Sequence, residues 1–141
     1  MGEINIDATN ALAGRLATYV VKQSLLGNKV NIFNSEKAVI SGHPDVVREK
    51  YYQRIFKVGN PFKGPFLSRL PDRFLRRIIR GMLDHKNARG AEAFARIMCY
   101  VGVPDEFKDR KLVKVAKEAV ELPRRKFLSI GQLCESLGGR V

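Results

Sequence analysis

Near its amino terminus the chain has two strand-like segments separated by a helical one, and this order restricts the fold more than any other feature. Ile4 and Ile6 alternate with polar residues, and residues 30–33 form a second, mainly apolar run. Between them, residues 12–20 repeat large apolar side chains at helical spacing, and Gly27 follows at a position typical of a helix C-terminus. A strand, a helix and a strand in this order predict a right-handed crossover and a parallel sheet.

The next segments predict a short strand, a helix and a long loop. Residues 39–40 favour a strand that ends at Gly42, and Pro44 suits the first position of a helix. Residues 56–65 contain several glycines and prolines and are interpreted as a loop, and long loops in compact domains are often functional. The mixed aromatic and basic side chains of residues 50–54 fit base stacking, but we favour tyrosines that cap the edge of the core.

Residues 71–83 have the pattern of an amphipathic helix with one basic face. At about 100° per residue, four arginines fall within an arc of roughly 100°, and apolar side chains occupy the rest. We expect the apolar side to face the core and the guanidinium groups, which share their arc with no acidic residue, to be unpaired and to require an anionic partner. Glutamine at positions 76 and 77 is then expected to leave folding nearly unchanged. The basic face comprises Arg73, Arg76, Arg77 and Arg80, and the apolar side comprises Phe74, Leu75, Ile78, Ile79, Met82 and Leu83.

A further helix is predicted after this one. Asn87 is positioned to cap its start, and Gly102 and Pro104 are positioned to end it. Its buried stripe is expected to comprise Phe94, Ile97, Met98 and Val101.

The carboxyl-terminal part of the chain has a mixed pattern of strand and helix. Residues 108–122 are compatible with a strand in their first half and with a helix from residue 116, and residues 123–126 form a basic turn. Ser129 and Gln132 have the spacing of a capping box, which predicts a last helix closed by Gly138.

The basic residues are concentrated in two segments. The 141 residues carry a formal net charge of +12, from 26 Lys and Arg and 14 Asp and Glu. Residues 61–90 hold eight basic and two acidic side chains, and residues 108–126 hold eight basic and three acidic ones. Clustering of this kind favours RNA or DNA as the partner over a merely solvated surface.

The sequence has no recognisable catalytic, metal-binding or nucleotide-binding motif. Cys99 and Cys134 have neither CxxC spacing nor a nearby histidine, which favours reduced thiols. His43 and His85 are far apart, and neither GxSxG nor HExxH is present. The GRLA segment that contains Gly14 lacks a phosphate-loop motif, and we expect this glycine to let helix and sheet approach closely. There is no signal-peptide pattern at the first residue, and the longest apolar run is too short to cross a membrane.

Four stretches form an ordered set of motifs across most of the first 104 residues. They are Asp7-Ala8-Thr9 leading to Gly14-Arg15-Leu16-Ala17, VNIFNSEKAVISG at residues 30–42, NPFKGPF at residues 60–66, and RGMLDHKNARGAEAFARIMCYVGVP at residues 80–104. In this order and combination they resemble the universal large-subunit ribosomal protein thirteen family, and NPFKGPF and HKxxRG are similar to its archaeal members. The family usually reads RGMLP, and this chain has Asp84 where that proline stands.

The resemblance implies a fold and a role. The implied fold is α/β, a three-layer α/β/α sandwich with a short, mostly parallel central sheet, in a single domain over residues 1–141 with a basic loop and helix insertion around residues 59–90. The implied role is non-catalytic: the chain binds large-subunit ribosomal RNA in the cytoplasm, packs against neighbouring ribosomal proteins and aids early subunit assembly. No cofactor, membrane or small-molecule substrate is implied. By carry-over, Arg80, Lys86 and Arg89 are expected to contact RNA.

The basic segments and the resemblance together give a set of candidate RNA-binding residues. They are Arg15, Lys63, Arg69, Arg73, Arg76, Arg77, Arg80, His85, Lys86, Arg89, Arg110, Lys111, Arg124, Arg125 and Lys126. Two alternatives use the same basic surface. A small RNA-modifying or RNA-cleaving enzyme would need an acid/base or nucleophile set that the sequence does not display, and a DNA-binding regulator would need a helix-turn-helix or dimer signature.

Overall fold

A computed structural model describes residues 2–115 and 126–139 and shows an α/β protein. The predicted strand–helix–strand unit is present, and its two strands pair in parallel along their whole length. Its elements are β1 (Glu3–Asp7), α1 (Ala13–Leu25) and β2 (Lys29–Phe33). The parallel sheet predicted from the start of the chain is therefore confirmed.

Another strand of this sheet lies where the sequence analysis predicted helix. The helix predicted to begin after Asn87, α4 (Ala88–Ala95), ends earlier than expected. The strand that follows it, β4 (Ile97–Cys99), pairs in parallel with β2. The N–H of Val30 donates to the carbonyl of Arg96 at 3.0 Å. The buried stripe proposed for one helix continuing to Val101 is therefore wrong. In so short an apolar run, helical spacing and strand alternation both fit, and the open edge of β2 favours the strand because its backbone groups need partners.

A pair of antiparallel strands brings the carboxyl-terminal segment onto the domain. The predicted β3 (Val39–Ser41) pairs with β5 (Phe127–Ser129), which the sequence analysis missed because three residues are too few to show alternation. α5 (Ile130–Ser136) follows directly, and the hydroxyl of Ser129 accepts a hydrogen bond from the N–H of Gln132 at 3.2 Å. The predicted cap of the last helix is thus confirmed.

The predicted helix starts at Pro44 and Pro71 are also confirmed. An irregular segment joins these two helices. α2 (Pro44–Tyr52) continues into a π-helical turn (Gln53–Lys57), and α3 (Pro71–Gly81) begins after the loop of residues 58–70. The predicted loop is present except for its first two residues, 56–57, which belong to the π-helical turn.

The ambiguous segment of residues 108–122 is described only as far as residue 115. Val113 forms an isolated parallel bridge with Ile6, and its N–H donates to the carbonyl of Asn5 at 2.9 Å. This single bridge gives extended pairing at Val113, but no strand is formed over residues 108–115. The proposed helix from residue 116 lies outside the described residues, as does the basic turn apart from Lys126.

The core lies between the parallel sheet and the helices packed on it. Ile32 from β2, Leu16 from α1, and Leu75 and Ile79 from α3 have no exposed area. Burying a side chain of this size contributes about 1.5–3 kcal/mol, so α3 is held firmly against the domain. The α/β class with a short, mostly parallel sheet is confirmed, whereas the full three-layer arrangement stays a prediction.

Gly14 does not have the packing role that was expected of it. It lies in the first turn of α1, and a β-carbon built there would meet no heavy atom within 4 Å. The expectation of a close helix–sheet approach at this glycine is therefore wrong. The buried side of α1 is formed instead by side chains such as Leu16, Ala17 and Val20.

Candidate nucleic-acid interface

α3 carries arginines along one side and buried apolar residues along the other. Pro71 occupies the first turn, where its missing N–H costs no helical hydrogen bond. Leu75 and Ile79 have no exposed area, so the predicted apolar side is confirmed. Met82 was expected on that side but is 46% exposed, because the helix ends at Gly81 and the chain turns away.

Arg76 does not point to solvent with an unpaired charge. Its Nε donates to the carbonyl of Ile97 at 3.0 Å, and one Nη donates to the carbonyl of Phe94 at 3.3 Å. The guanidinium carbon also lies 4.1 Å from the centroid of the Phe94 ring. The expectation that Arg76 is unpaired is therefore wrong: this residue ties α3 to the junction between α4 and β4. The expectation that glutamine at this position leaves folding unchanged assumed an unpaired guanidinium group, so that assumption does not hold for Arg76.

Arg77 also has a partner within the chain, although a weaker one. One Nη donates to the carbonyl of Phe66 at 3.1 Å, and this bond is solvent-exposed. The bond joins α3 to the preceding loop. A guanidinium group has five N–H donors, and no other bond of Arg77 occurs within residues 2–115 and 126–139, so most of its donors stay available to a ligand.

Arg73 and Arg80 fit the original expectation. Arg73 is exposed and Arg80 is half-buried. Neither makes a hydrogen bond or ion pair with another part of the chain that the structure describes. Arg73, Arg77 and Arg80 therefore lie on one side of α3, and none of them has an acidic partner among the described residues.

The turn between α3 and α4 adds cations next to the end of α3. Lys86 and Arg89 are exposed, and His85 is half-buried with its Nδ1 3.4 Å from the carbonyl oxygen of Leu83. A β-carbon at Gly90 would lie 1.8 Å from the carbonyl oxygen of Asp84, so only glycine allows this turn to close. The predicted loop position of His85 is confirmed, and its role toward RNA stays a prediction.

Arg15 lies close to α3 although it comes from α1. It is exposed and helps to line a groove of about 340 Å³ together with Tyr51 and Ile78. We define the α3 surface as Arg15, Arg73, Arg77, Arg80, Lys86 and Arg89.

The loop before α3 holds Lys63 and Arg69. Lys63 is exposed near the tip of the loop, and Arg69 is half-buried with its guanidinium carbon 4.9 Å from the centroid of the Phe56 ring. The loop is therefore both basic and aromatic.

The basic residues of the second segment that the structure describes are exposed, but Arg110 among them is paired. Arg110 forms an ion pair with Glu3 at 2.7 Å and lies over the ring of Phe107 at 4.8 Å, so its charge is already neutralised. Lys111 and Lys126 are exposed. Arg124 and Arg125 lie outside the described residues.

A group of aromatic residues around α2 is not among the site residues predicted from the sequence. Tyr51 packs edge-on against Phe74 with ring centroids 5.0 Å apart, as expected of a tyrosine at the edge of the core. Tyr52 differs because it is exposed. The centroids of the Tyr52 and Phe56 rings are 4.7 Å apart, and the Nζ of Lys57 lies 5.8 Å from the centroid of the Tyr52 ring. The four-residue spacing of Tyr52 and Phe56, one helical turn, was the signal that could have revealed this pair.

Three titratable groups that are wholly or partly buried, Asp7, Cys99 and Cys134, have pKa values shifted by their surroundings. Burial alone would raise the pKa of Asp7, but hydrogen bonds from Thr9 and Asn34 outweigh it and hold the pKa below the usual 3.8. Burial raises the pKa of Cys99 and Cys134 to about 12, so both thiols stay protonated. Both are free and buried, and the reduced state of the thiols stays a prediction.

No helix in the described part of the chain combines the length and apolarity needed to cross a membrane. Within residues 2–115 and 126–139, no group of three or more His, Cys, Asp or Glu side chains is arranged to hold a metal ion.

Comparison with known proteins decides the family. The sequence model of ribosomal protein L13 matches residues 2–106, about three quarters of the chain. The chain belongs to the ribosomal protein L13 family. The match spans β1 to β4 and therefore includes α3 and the turn that follows it.

Several archaeal members of the L13 family are similar over almost the whole chain. The protein named large ribosomal subunit protein uL13 in Methanococcoides burtonii is 42% identical over 96% of this chain and 97% of its own length. The proteins of the same name in Methanopyrus kandleri and Aeropyrum pernix are 39% and 37% identical, over 94% and 96% of this chain and 85% and 90% of their own lengths. The resemblance to the archaeal type is thereby confirmed.

Asp84, which stands where the resemblance led us to expect a proline, has a defined place in the turn. Its carboxylate accepts a hydrogen bond from the side-chain amide of Asn87, and its carbonyl accepts one from the N–H of the same residue at 3.1 Å. Asn87 occupies the N-cap position of α4 but makes no side-chain cap. The acid therefore holds the turn instead of a rigid proline, and the loop keeps a compact shape.

Proposed function

We propose that this chain is a structural component of the large ribosomal subunit that binds large-subunit ribosomal RNA through the α3 surface. The observation that carries the proposal is membership of the L13 family together with near full-length similarity to proteins named large ribosomal subunit protein uL13. The cations of Arg73, which is exposed, and of Arg77 and Arg80, which are half-buried, support it, because none of the three has an acidic partner among the described residues and such charges need an anionic partner.

The binding chemistry follows from the geometry of the α3 surface. Arginine guanidinium groups are planar forks that grip phosphate oxygens through two hydrogen bonds, and lysine acts as a point charge. Each phosphate contact releases condensed counterions, which supplies much of the affinity. Because α3 is buried along its other side and Arg76 ties it to β4, the helix that carries these arginines is in place before RNA arrives.

Other candidate residues extend this proposal. Lys63 and Arg69 come from the loop before α3, and Lys111 and Lys126 come from the second basic segment. Arg110 is a weaker candidate than the sequence suggested, because Glu3 already neutralises it.

We favour the structural role over the alternative of an RNA-modifying or RNA-cleaving enzyme. L13 proteins are structural components of the ribosome rather than enzymes, and the buried protonated thiols offer no nucleophile. We further infer a position in the cytoplasmic large subunit, contacts with neighbouring ribosomal proteins and a contribution to early subunit assembly. No cofactor or small-molecule substrate is needed for this role.

The experiment is co-sedimentation of tagged protein with ribosomal subunits in an archaeal host. The variant Arg73→Gln/Arg77→Gln/Arg80→Gln removes three charges from the α3 surface. The control Lys22→Gln/Lys29→Gln/Lys37→Gln removes three charges from exposed positions outside it. We expect wild type and control to migrate with large subunits and the α3 variant to accumulate in the unbound fraction. A wild-type protein found mainly free of large subunits would contradict the proposed function.

A further inference from the structure

Exposed aromatic rings are concentrated on the last residue of α2 and on the segment that joins α2 to α3. Phe62 is 91% exposed, Phe66 is 69% exposed, and Tyr52 and Phe56 are also exposed. Phe56 and Phe66 line a groove of about 280 Å³ with Val58. Phenylalanines at this exposure lose the contribution that burial would make to folding, so their rings are available to a partner.

The loop that carries Phe62 and Phe66 has a defined shape. The side-chain oxygen of Asn60 accepts a hydrogen bond from the N–H of Phe62 at 2.9 Å, and its carbonyl accepts one from the N–H of Gly64 at 2.8 Å. Arg77 of α3 holds the carbonyl of Phe66. The turn therefore presents the ring of Phe62 at its tip, and the base of the loop is fastened to the helix that carries the α3 surface.

The charge around these rings indicates what kind of partner covers them. Residues 50–73 contain six basic side chains and one acidic side chain. Two of the cations lie over exposed rings: Arg69 over Phe56 at 4.9 Å and Lys57 over Tyr52 at 5.8 Å. An apolar protein surface would match the rings but would leave the cations without partners. Unpaired nucleotides match both, since each joins a flat π-face to a phosphate.

We propose that the aromatic loop surface, formed by Tyr52, Phe56, Phe62, Lys63, Phe66 and Arg69, binds unpaired nucleobases of single-stranded RNA by stacking. The proposal rests on the proposed function and assigns different parts of the RNA to the two surfaces. The α3 surface engages phosphates of folded RNA, and the aromatic loop surface accepts bases that are not paired. Phe62 and Phe66 are the stacking residues, while Lys63 and Arg69 neutralise the adjoining phosphates.

The test compares two short, labelled RNAs of equal length and equal phosphate number, one with normal bases and one abasic. Stacking is worth roughly a factor of ten in affinity per base. We therefore expect the full-length wild-type chain to prefer the normal strand by about tenfold or more in fluorescence anisotropy titrations. The variant Phe62→Ala/Phe66→Ala is expected to lose most of this preference while binding the abasic strand within about twofold of wild type.

Two further variants separate stacking from other effects. Phe62→Leu/Phe66→Leu keeps apolar side chains without a π-face and is expected to lose the preference as well. Leu26→Ala/Val101→Ala removes exposed apolar side chains elsewhere and is expected to keep it. Phe62, Phe66, Leu26 and Val101 are all exposed, so each variant should melt at the same temperature as wild type. Equal melting temperatures would establish that the variants are folded.

Several outcomes would overturn the inference. One is equal affinity of the wild type for the two RNAs, and another is a preference that survives in the alanine variant. If that variant keeps its RNA preference but no longer joins large subunits in a lysate, the surface docks protein instead. The proposed function fails separately, through loss of wild-type co-sedimentation with large subunits.

Discussion

At the scale of single residues, the arginines of α3 show how much a charge pattern leaves undetermined. The helical arc groups four of them, but Arg76 turns toward the backbone carbonyls of Phe94 and Ile97, whereas Arg73 and Arg80 stay free of such contacts among the described residues. The long side chain of arginine can reach backbone groups several ångströms from its own helix. Those carbonyls belong to a helix end and a strand that the sequence analysis had fused into one helix, so the contact could not be predicted.

Replacement of Arg76 by glutamine is expected to destabilise the protein by about 2–3 kcal/mol, since two charge-assisted hydrogen bonds and a cation–π contact are lost. Arg73→Gln, on the exposed part of the same helix, should change the free energy of unfolding by no more than about 0.5 kcal/mol. Urea unfolding followed by circular dichroism measures both. Equal stability of the two variants would show that Arg76 does not hold α3 in place.

Asp7 provides a test by pH. Its folded pKa lies below its unfolded value of 3.8, so it contributes stability that is fully present above that value and is lost as the pH falls through the folded pKa. Between about pH 5 and about pH 3, wild type should therefore lose more stability than Asp7→Asn, whose side chain does not titrate in this range. The measurement is the melting temperature of both proteins over that pH range. If the melting temperatures of wild type and Asp7→Asn fall equally with pH, the Thr9 and Asn34 hydrogen bonds do not have this role.

At the scale of elements, long segments with strong periodicity were predictable and short ones were not. α1 and α3 follow their apolar spacing, and the helix starts at Pro44 and Pro71 are encoded locally. β4 and β5 have three residues each, so their identity depends on strands distant in sequence. Local pattern cannot supply that information.

Gly90 tests how tightly the turn between α3 and α4 closes, and Gly14 in α1 serves as its control. A β-carbon at Gly90 would collide with the carbonyl of Asp84, so Gly90→Ala should destabilise by about 2 kcal/mol or more through forced backbone movement. Gly14→Ala meets open space on α1 and should stabilise by roughly 0.5–1 kcal/mol. Melting temperatures of the two variants should move in opposite directions. A tolerated Gly90→Ala would mean that the turn closes less tightly than the structure shows.

At the scale of the whole molecule, the basic residues divide into those that hold the fold and those that are free to bind. The concentration of positive charge at residues 61–90 was visible in the sequence. Which cations are already paired was not, because Glu3 meets Arg110 across more than a hundred residues. The aromatic loop surface also escaped prediction, since exposure of Phe62 and Phe66 depends on a turn that only the folded loop displays.

The salt dependence of binding to archaeal large-subunit ribosomal RNA tests the central claim most directly. With about six phosphate contacts, the logarithm of the wild-type affinity should fall against the logarithm of salt concentration with a slope of about −4 to −5. Arg73→Gln/Arg77→Gln/Arg80→Gln should bring that slope about two to three units closer to zero, while Lys22→Gln/Lys29→Gln/Lys37→Gln should leave it nearly unchanged. A nearly flat wild-type slope, or an equal change in both variants, would contradict the account of the α3 surface as the phosphate-binding face.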